Sequence, residues 1–320
     1  MSKVKKEEEK FSPSGVFEGM VSLDGVIHSV EAGTSDRRID KVLFDRERSE
    51  KKQRELAYIK RKQQSLGFEL VITDKETIDG MCIGNSHGGI VALCGERSYP
   101  SLTEDRLSGG YYVMLDGIED PYNFGYAVRS LYAAGVDGLI IPPRNWMSAA
   151  GVVCRASAGA SELIPMFVCE PEEAAATAKK CGYSVICADI KESVSVYEAE
   201  IKKPLLLIVG GEKRGISRAV LDHADKIVRL DYGREFKAAL SAASAASIAA
   251  STAATLPRNL TTTISGTESV SGWEGLFLSK FSTVTSAALQ PASHATNAAT
   301  RPYTSRMPTA CAICGSSQVS

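Results

Sequence analysis

The chain has 320 residues, with 37 basic and 38 acidic side chains, a net charge of −1 and 44% hydrophobic residues. That balance is the one expected of a soluble globular protein with room for two ordinary domains, and it excludes nucleic-acid binding through overall charge alone. No apolar run reaches the ~18 residues that a membrane span needs, and the charged opening "MSKVKKEEEKF" lacks a signal peptide's apolar core, so a cytoplasmic location is expected. Cys94, Cys154, Cys169 and Cys187 sit in apolar contexts, which predicts reduced, buried thiols.

Residues 1–18 carry blocks of like charge and read as a solvated tail. A small α/β domain is expected over 19–105. "RIDKVLFD" (38–45) has a strand pattern. Residues 49–67 form a charged helix with Leu56 and Ile59 on one side and a stop at Gly67. "FELVITD" (68–74) is a second strand, "DKETIDGM" a short helix with an Asp or Thr cap, and "SHGGIVALC" (86–94) a glycine turn feeding a third strand. This alternation predicts a small parallel α/β unit. The polar stretch 95–110 contains Pro100, ends in Gly109-Gly110 and reads as connector, its last part (106–110) forming the linker proper.

The second domain is expected over 111–256. "YYVMLDGI" is a strand apolar enough to be buried on both faces. "YAVRSLYAAG" reads as a helix closed by Gly135, "VDGLIIPP" as a strand, and 170–182 as a helix with an acidic first turn. "YSVICADI", "PLLLIVGG" and "KIVRLD" are further strands, "GISRAVLDHAD" is a helix, and a long Ala/Ser-rich helix begins near Ala239. Five strands of parallel type with helices between them predict a doubly wound sheet, whose ligands sit beyond the carboxyl ends of the strands. Residues 257–320 turn rich in Ser and Thr and poor in charge, as disordered low-complexity segments are. The lone C-x-x-C at Cys311 and Cys314 has no second pair or nearby His, so no metal is expected.

Three segments combine unusual residues. In "EDPYNFGYAVR", Pro121 fixes a turn, Asn123 can brace it, and Gly125 allows close packing where the helix starts. Arg129 follows six residues after Asn123, one to two turns into an apolar helix, and must reach solvent, a carboxylate or a phosphate. In "LLLIVGGEKRGISRAVL", an apolar strand runs into Gly210-Gly211, Glu212 and Gly215, and freed backbone amides can approach a flat ligand. The spacing is neither a P-loop nor G-x-G-x-x-G. In "VRLDYGREFKAALSAASAA", small residues allow close approach of a ligand or of another helix.

Taken in this order on one sheet, the three segments resemble the SpoU/TrmH family of SPOUT methyltransferases. The first family motif is matched by Asp120, Pro121, Asn123, Gly125 and Arg129, the second by Gly210, Glu212 and Gly215, and the third by Ala239-Leu240-Ser241; "RASAGASELIP" (155–165) is also similar. The likeness covers 111–254, and the N-terminal unit looks like the small ribosomal-protein-like substrate-binding domain of many members. The resemblance implies an α/β domain with a deep trefoil knot, a homodimer, and S-adenosylmethionine as cofactor. It implies methyl transfer to a ribose 2′-hydroxyl of tRNA or rRNA. Arg129, Asn123 and Glu212 would be the catalytic set, with Gly210, Gly211, Gly215, Ile216, Leu230, Leu240 and Ser241 around the cofactor. Ser241 departs from the family's Asn.

For RNA, the charged helix offers Lys51, Lys52, Arg54, Lys60, Arg61 and Lys62, equally readable as a solvated face. His87 in its glycine turn could face RNA, and Arg144 with Trp146 could clamp a nucleotide or cap the sheet. Two alternatives stay open: a catalytically inactive RNA-binding protein of the same fold, motivated by Ser241, and an unrelated doubly wound nucleotide-binding enzyme.

Overall fold

The computed structural model describes residues 15–84, 86–143, 149–211, 215–235 and 239–254, which build two sheets. The first contains β1 (Val16–Glu18), β2 (Ile39–Asp45), β3 (Glu69–Thr73) and β4 (Ile90–Cys94), with α1 (Gly19–Glu31), α2 (Gln53–Leu66) and α3 (Lys75–Asp79). The local signals act as read. Gly67 closes α2 in the left-handed conformation (φ 75°) and donates its N–H to Gln63. Asp74 caps α3 by accepting the Thr77 N–H at 2.8 Å.

The strand order is β1-β4-β2-β3, and only β2 and β3 are parallel; β4 is antiparallel to both its neighbours. The expected all-parallel unit is therefore corrected to a mixed sheet. After the five-residue α3 the chain turns at Gly88 and Gly89, both with positive φ. The chain is not carried back to the starting edge, and it re-enters beside the end of β2, where the Asp45 N–H bonds Gly89 O at 2.8 Å.

The second sheet has seven strands: β5 (Tyr111–Leu115), β6 (Gly138–Ile141), β7 (Met166–Val168), β8 (Ser184–Ala188), β9 (Val194–Ser195), β10 (Leu205–Val209) and β11 (Lys226–Arg229). Their order is β7-β6-β5-β10-β8-β11-β9, every pair parallel. The five expected strands are all present. The edge strands β7 and β9 are three and two residues long, too short to show a pattern in sequence. Polar residues 95–110 are not free of the fold, since Val168 gives its N–H to Pro100 O at 2.9 Å and accepts that of Leu102 at 3.0 Å.

Alternating side chains sort the second sheet into two buried faces. Tyr111, Val113, Leu115, Leu205, Leu207 and Val209 face α4 (Pro121–Ala133), α5 (Ala150–Ala156), α6 (Ala160–Leu163) and α9 (Ala242–Ala254). Tyr112, Met114, Leu206 and Ile208 face α7 (Pro171–Lys180) and α8 (Arg218–Leu221). The result is a three-layer α/β/α arrangement. Both sheets lie in one compact unit. Among the described residues no helix is long and apolar enough to cross a membrane.

Candidate functional site

The site is built where the central strands β5 and β10 end. They run in register, Val209 beside Leu115, and the Asp116 N–H continues the ladder to Val209 O at 2.9 Å. Beyond this point the two chains touch backbone to backbone at Gly117 and Gly211; a methyl group added to Gly211 would overlap the Gly117 carbonyl. Gly215 (φ 62°) folds back so that its N–H bonds Gly211 O at 3.0 Å, and Gly210 lies against the Gly215 backbone with no room for a Cβ. At Gly117, Gly210, Gly211 and Gly215 the backbone carries no side chains, and its peptide groups can offer hydrogen bonds to a flat ligand. Ile216 is buried in the core toward α7 and α8, so its side chain packs and only its backbone is on offer.

The stretch read as a turn with Pro121 is instead helical from Pro121 onward. Asp120 is the N-cap, accepting the Asn123 N–H at 2.7 Å, and Pro121 takes the first helical position, where its missing N–H costs nothing. This moves Arg129 deeper into α4 than the one to two turns expected. It lies eight residues past Pro121, about 12 Å along the axis. Its guanidinium is exposed and makes no hydrogen bond or ion pair among the described residues. Tyr122 and Tyr126, both exposed, precede it at helical spacing and form one outward stripe with it. The opposite side of α4, from Phe124 and Gly125 through Val128 to Leu131, is buried.

The third segment closes from the far side. Leu230 follows β11, half-buried against the core that α4 and α9 share. The Leu240 N–H donates to the Tyr232 hydroxyl at 3.1 Å, tying the two ends of this connection together. The Ser241 hydroxyl accepts the Ser244 N–H at 3.2 Å and so caps α9, which starts at Ala242 rather than near Ala239. Serine and asparagine are nearly equivalent caps, so the departure at Ser241 leaves the helix start intact. Helix α9 then packs on α4, β5 and β10.

On the first sheet, α2 starts at Gln53 rather than at 49, so Lys51 and Lys52 lie in the turn before it. Lys51 is exposed there, Arg54, Lys60 and Arg61 are exposed along the helix, and Lys62 is tied to Glu31 at 2.7 Å. Arg61 stacks over the Tyr58 ring at 5.5 Å, and the half-buried Lys52 reaches over the Gly88 turn. Lys51, Lys52, Arg54 and Lys60 have no ion-pair partner among the described residues. His87, expected to be able to face RNA, is instead 3% exposed. Its Nδ1 accepts the Gly89 N–H at 3.1 Å and its Nε2 lies 3.0 Å from Asp79, because the glycine turn folds the ring inward. Glu212, Arg144 and Trp146 lie outside the described residues.

Cys94, Cys154, Cys169 and Cys187 are buried and unpaired, as read. Burial pushes the Cys187 thiol up to about 12 and that of Cys169 to about 11. Among the described residues no group of His, Cys, Asp and Glu could hold a metal. Residue-level reading missed Gly117, whose signal was the Asp-Gly turn after β5, and Tyr232. It also missed the buried ion cluster of Arg37, Arg97 and Glu162. Arginines in a polar stretch and a glutamate in a short helix give no sign of being buried together.

Fold and edge define a parallel-sheet α/β protein with a peptide-walled binding edge and a cation-bearing helix beside it. A family model described as the SpoU rRNA Methylase family matches residues 110–251. A putative TrmH family tRNA/rRNA methyltransferase of Staphylococcus haemolyticus is 31% identical over 176 residues, covering 53% of this chain and 70% of that protein. A 23S rRNA (guanosine-2′-O-)-methyltransferase, RlmB, of Shewanella oneidensis is 27% identical over 214 residues, covering 64% of this chain and 85% of its own. The solved structure of an AdoMet-bound rRNA methyltransferase from Sinorhizobium meliloti superposes with a TM-score of 0.62 at 22% identity, covering 74% of this chain and 85% of that one. The chain belongs to the SpoU/TrmH family of RNA methyltransferases.

Proposed function

We propose that the chain transfers a methyl group from S-adenosylmethionine to a ribose 2′-hydroxyl of rRNA or tRNA. The observation that carries this reading is the convergence of the three motif segments. β5 leads into the helix of Arg129, β10 leads into the glycine-walled turn, and α9 lies back over both strands. The residues fit the donor, since a wall of peptide groups at Gly210, Gly211 and Gly215 can accept and donate hydrogen bonds to an adenine edge. Backbone groups at Ile216, Leu230 and Leu240, with the Ser241 hydroxyl, complete the holding set. The donor supplies an electrophilic methyl on a sulfonium, which leaves as a neutral thioether, so the chemistry needs no metal.

The work left to the protein is to aim the hydroxyl and ease the loss of its proton. Arg129 does the aiming. A guanidinium hardly deprotonates in proteins, so it holds the hydroxyl or an adjoining phosphate through charge-assisted hydrogen bonds rather than acting as a base. Asn123 positions the RNA or Arg129, and Glu212 orients the second motif. RNA phosphates are met by Lys51, Lys52, Arg54 and Arg61 over residues 19–105, acting as the substrate-binding part, and Arg144 clamps a nucleotide. His87, buried against Asp79, shapes its turn. The Ser241 hydroxyl still donates and accepts hydrogen bonds, which supports the active reading over that of an inactive RNA binder.

The connections after β10 and β11 form a trefoil knot in this reading, supported by the insertion of β10 between β5 and β8 and by the return of α9 over β5. The active form in this reading is a cytoplasmic homodimer in which a second copy covers the stripe of Tyr122, Tyr126 and Arg129, supported by the exposure of both tyrosines. Calorimetric titration with S-adenosylmethionine and transfer of tritiated methyl to unmodified 23S rRNA and bulk tRNA transcripts test the reading together. Donor binding followed by RNA labelling is expected. Absence of donor binding would sink the assignment, and donor binding without transfer to either RNA would revive the inactive alternative.

A further inference from the structure

The seven-residue helix α5 (Ala150–Ala156) belongs to the cores of both sheets. Ala150 and Cys154 complete the core of the first sheet, beside Phe17, Leu23 and Phe44. Val153 lies in the core of the second, beside Phe124 and Val128 of α4. The contacts on either side leave no slack. Gly151 sits directly against the Val16 carbonyl of β1, where any side chain would overlap it. A methyl group on Gly125 of α4 would come within 2.5 Å of the Ala156 Cβ and 2.9 Å of the Val153 carbonyl oxygen. One short helix thus spaces the first sheet from the helix that carries Asn123 and Arg129.

Two charge clusters fasten the same joint. Glu162 of α6, 1% exposed, takes Arg37 of the first-sheet segment in a two-pronged pair at 3.0 and 3.3 Å. Arg97 of the connecting stretch lies 3.8 Å from the same carboxylate and donates to the Ser161 carbonyl at 2.9 Å. Arg37 also donates to Gly95 O at 2.6 Å and stacks on the Phe17 ring at 4.7 Å. At the other end of the joint, Arg155 of α5 pairs with the buried Glu18, whose second oxygen accepts the Ile83 N–H at 2.7 Å. Arg37 and Arg97 are buried and paired, so their planar forks hold one geometry and swivelling would strand their charges; Arg155 is partly exposed, but its partner Glu18 is buried.

We infer that α5 and the Arg37–Glu162–Arg97 and Glu18–Arg155 clusters are a positioning device that holds the substrate-binding sheet at one distance and angle from Arg129. RNA seated on the basic end of α2 then offers only the nucleotide at a matching distance along its fold. The inference rests on the RNA-methyltransferase reading for its purpose, but its mechanical part stands apart from that reading.

The test uses the full chain and two variants, Glu162→Gln and Glu18→Gln. The second keeps an oxygen for the Ile83 N–H and replaces the oxygen that faces Arg155 by an amide NH2, breaking that pair, so it serves if the first fails to fold. Calorimetry of the wild type is expected to show the two sheets melting in one transition. Well below that transition, both variants are expected to lose about tenfold or more in kcat/KM for RNA, as misplaced reactants do. Their Kd for S-adenosylmethionine should stay within about twofold, since the donor-side contacts are untouched. Unchanged RNA kinetics in the folded variants, or two separate transitions in the wild type, would overturn the inference. If the wild type methylates no RNA, the functional reading fails on its own and calorimetry alone decides the mechanical part. In that case separation of the sheets in the variants supports the inference, and one undivided transition in both overturns it.

Discussion

Arg129 is exposed within its own chain and has no hydrogen-bond or ion-pair partner among the described residues, so its removal tests chemistry with little effect on the fold of the subunit. Arg129→Ala is expected to lower methyl transfer by about 10²- to 10³-fold, the usual cost of losing one well-placed donor at a reacting oxygen. Unfolding free energy should move by no more than about 0.5 kcal/mol, as at other exposed positions; urea denaturation checks this beside the transfer rate. Ser241 gives the opposite pattern. Ser241→Ala removes the cap of α9 and should cost about 1 kcal/mol, whereas Ser241→Asn should be nearly neutral. Thiol titration at pH 8 makes a third check. With burial holding the Cys187 thiol near 12 and Cys169 near 11, both stay protonated and unreactive until the chain unfolds.

Among the elements, the crossing of the β5 and β10 connections is the least forgiving. Gly211→Ala would drive a methyl into the Gly117 carbonyl, so the turn must shift. A loss of donor affinity is expected, with about 1–3 kcal/mol of destabilisation from the forced backbone movement, read by calorimetric titration and denaturation of one preparation. Much of this element layer was legible in the sequence. Continuous apolar runs announced β5, β8 and β10, Gly67 announced the end of α2, and Asp74 the start of α3. What was not legible has local causes. The Asp120 cap and Pro121 look like a turn until the ladder of α4 is seen to begin at once. The mixed order of the first sheet depends on where the chain re-enters beside β2 after the Gly88-Gly89 turn, which residue pattern does not report. At the site, Gly210, Gly211 and Arg129 stood out by type. Gly117 did not, because its role lies in a partner 94 residues away in the chain.

For the molecule as a whole, a net charge of −1 means that RNA must be held by local cations; among the described residues Lys51, Lys52, Arg54 and Lys60 have no ion-pair partner, whereas Lys62 pairs with Glu31 and Lys41 with Glu69. RNA affinity is therefore expected to fall steeply with salt. Replacing Lys51 or Arg54 by Gln should each lower the log–log slope by about one, and filter binding from low to moderate salt measures it. In the proposed function the two sheets, joined through α5, divide the labour between grip and chemistry. The claim on which everything else depends is that this division ends in methylation of a ribose. Its most direct test is to incubate the full chain with tritiated S-adenosylmethionine and unmodified rRNA and tRNA, digest the product with alkali and map the label. Label is expected in an alkali-resistant dinucleotide at one defined position, abolished in Arg129→Ala. Label on a base, or no label in either RNA, would contradict it.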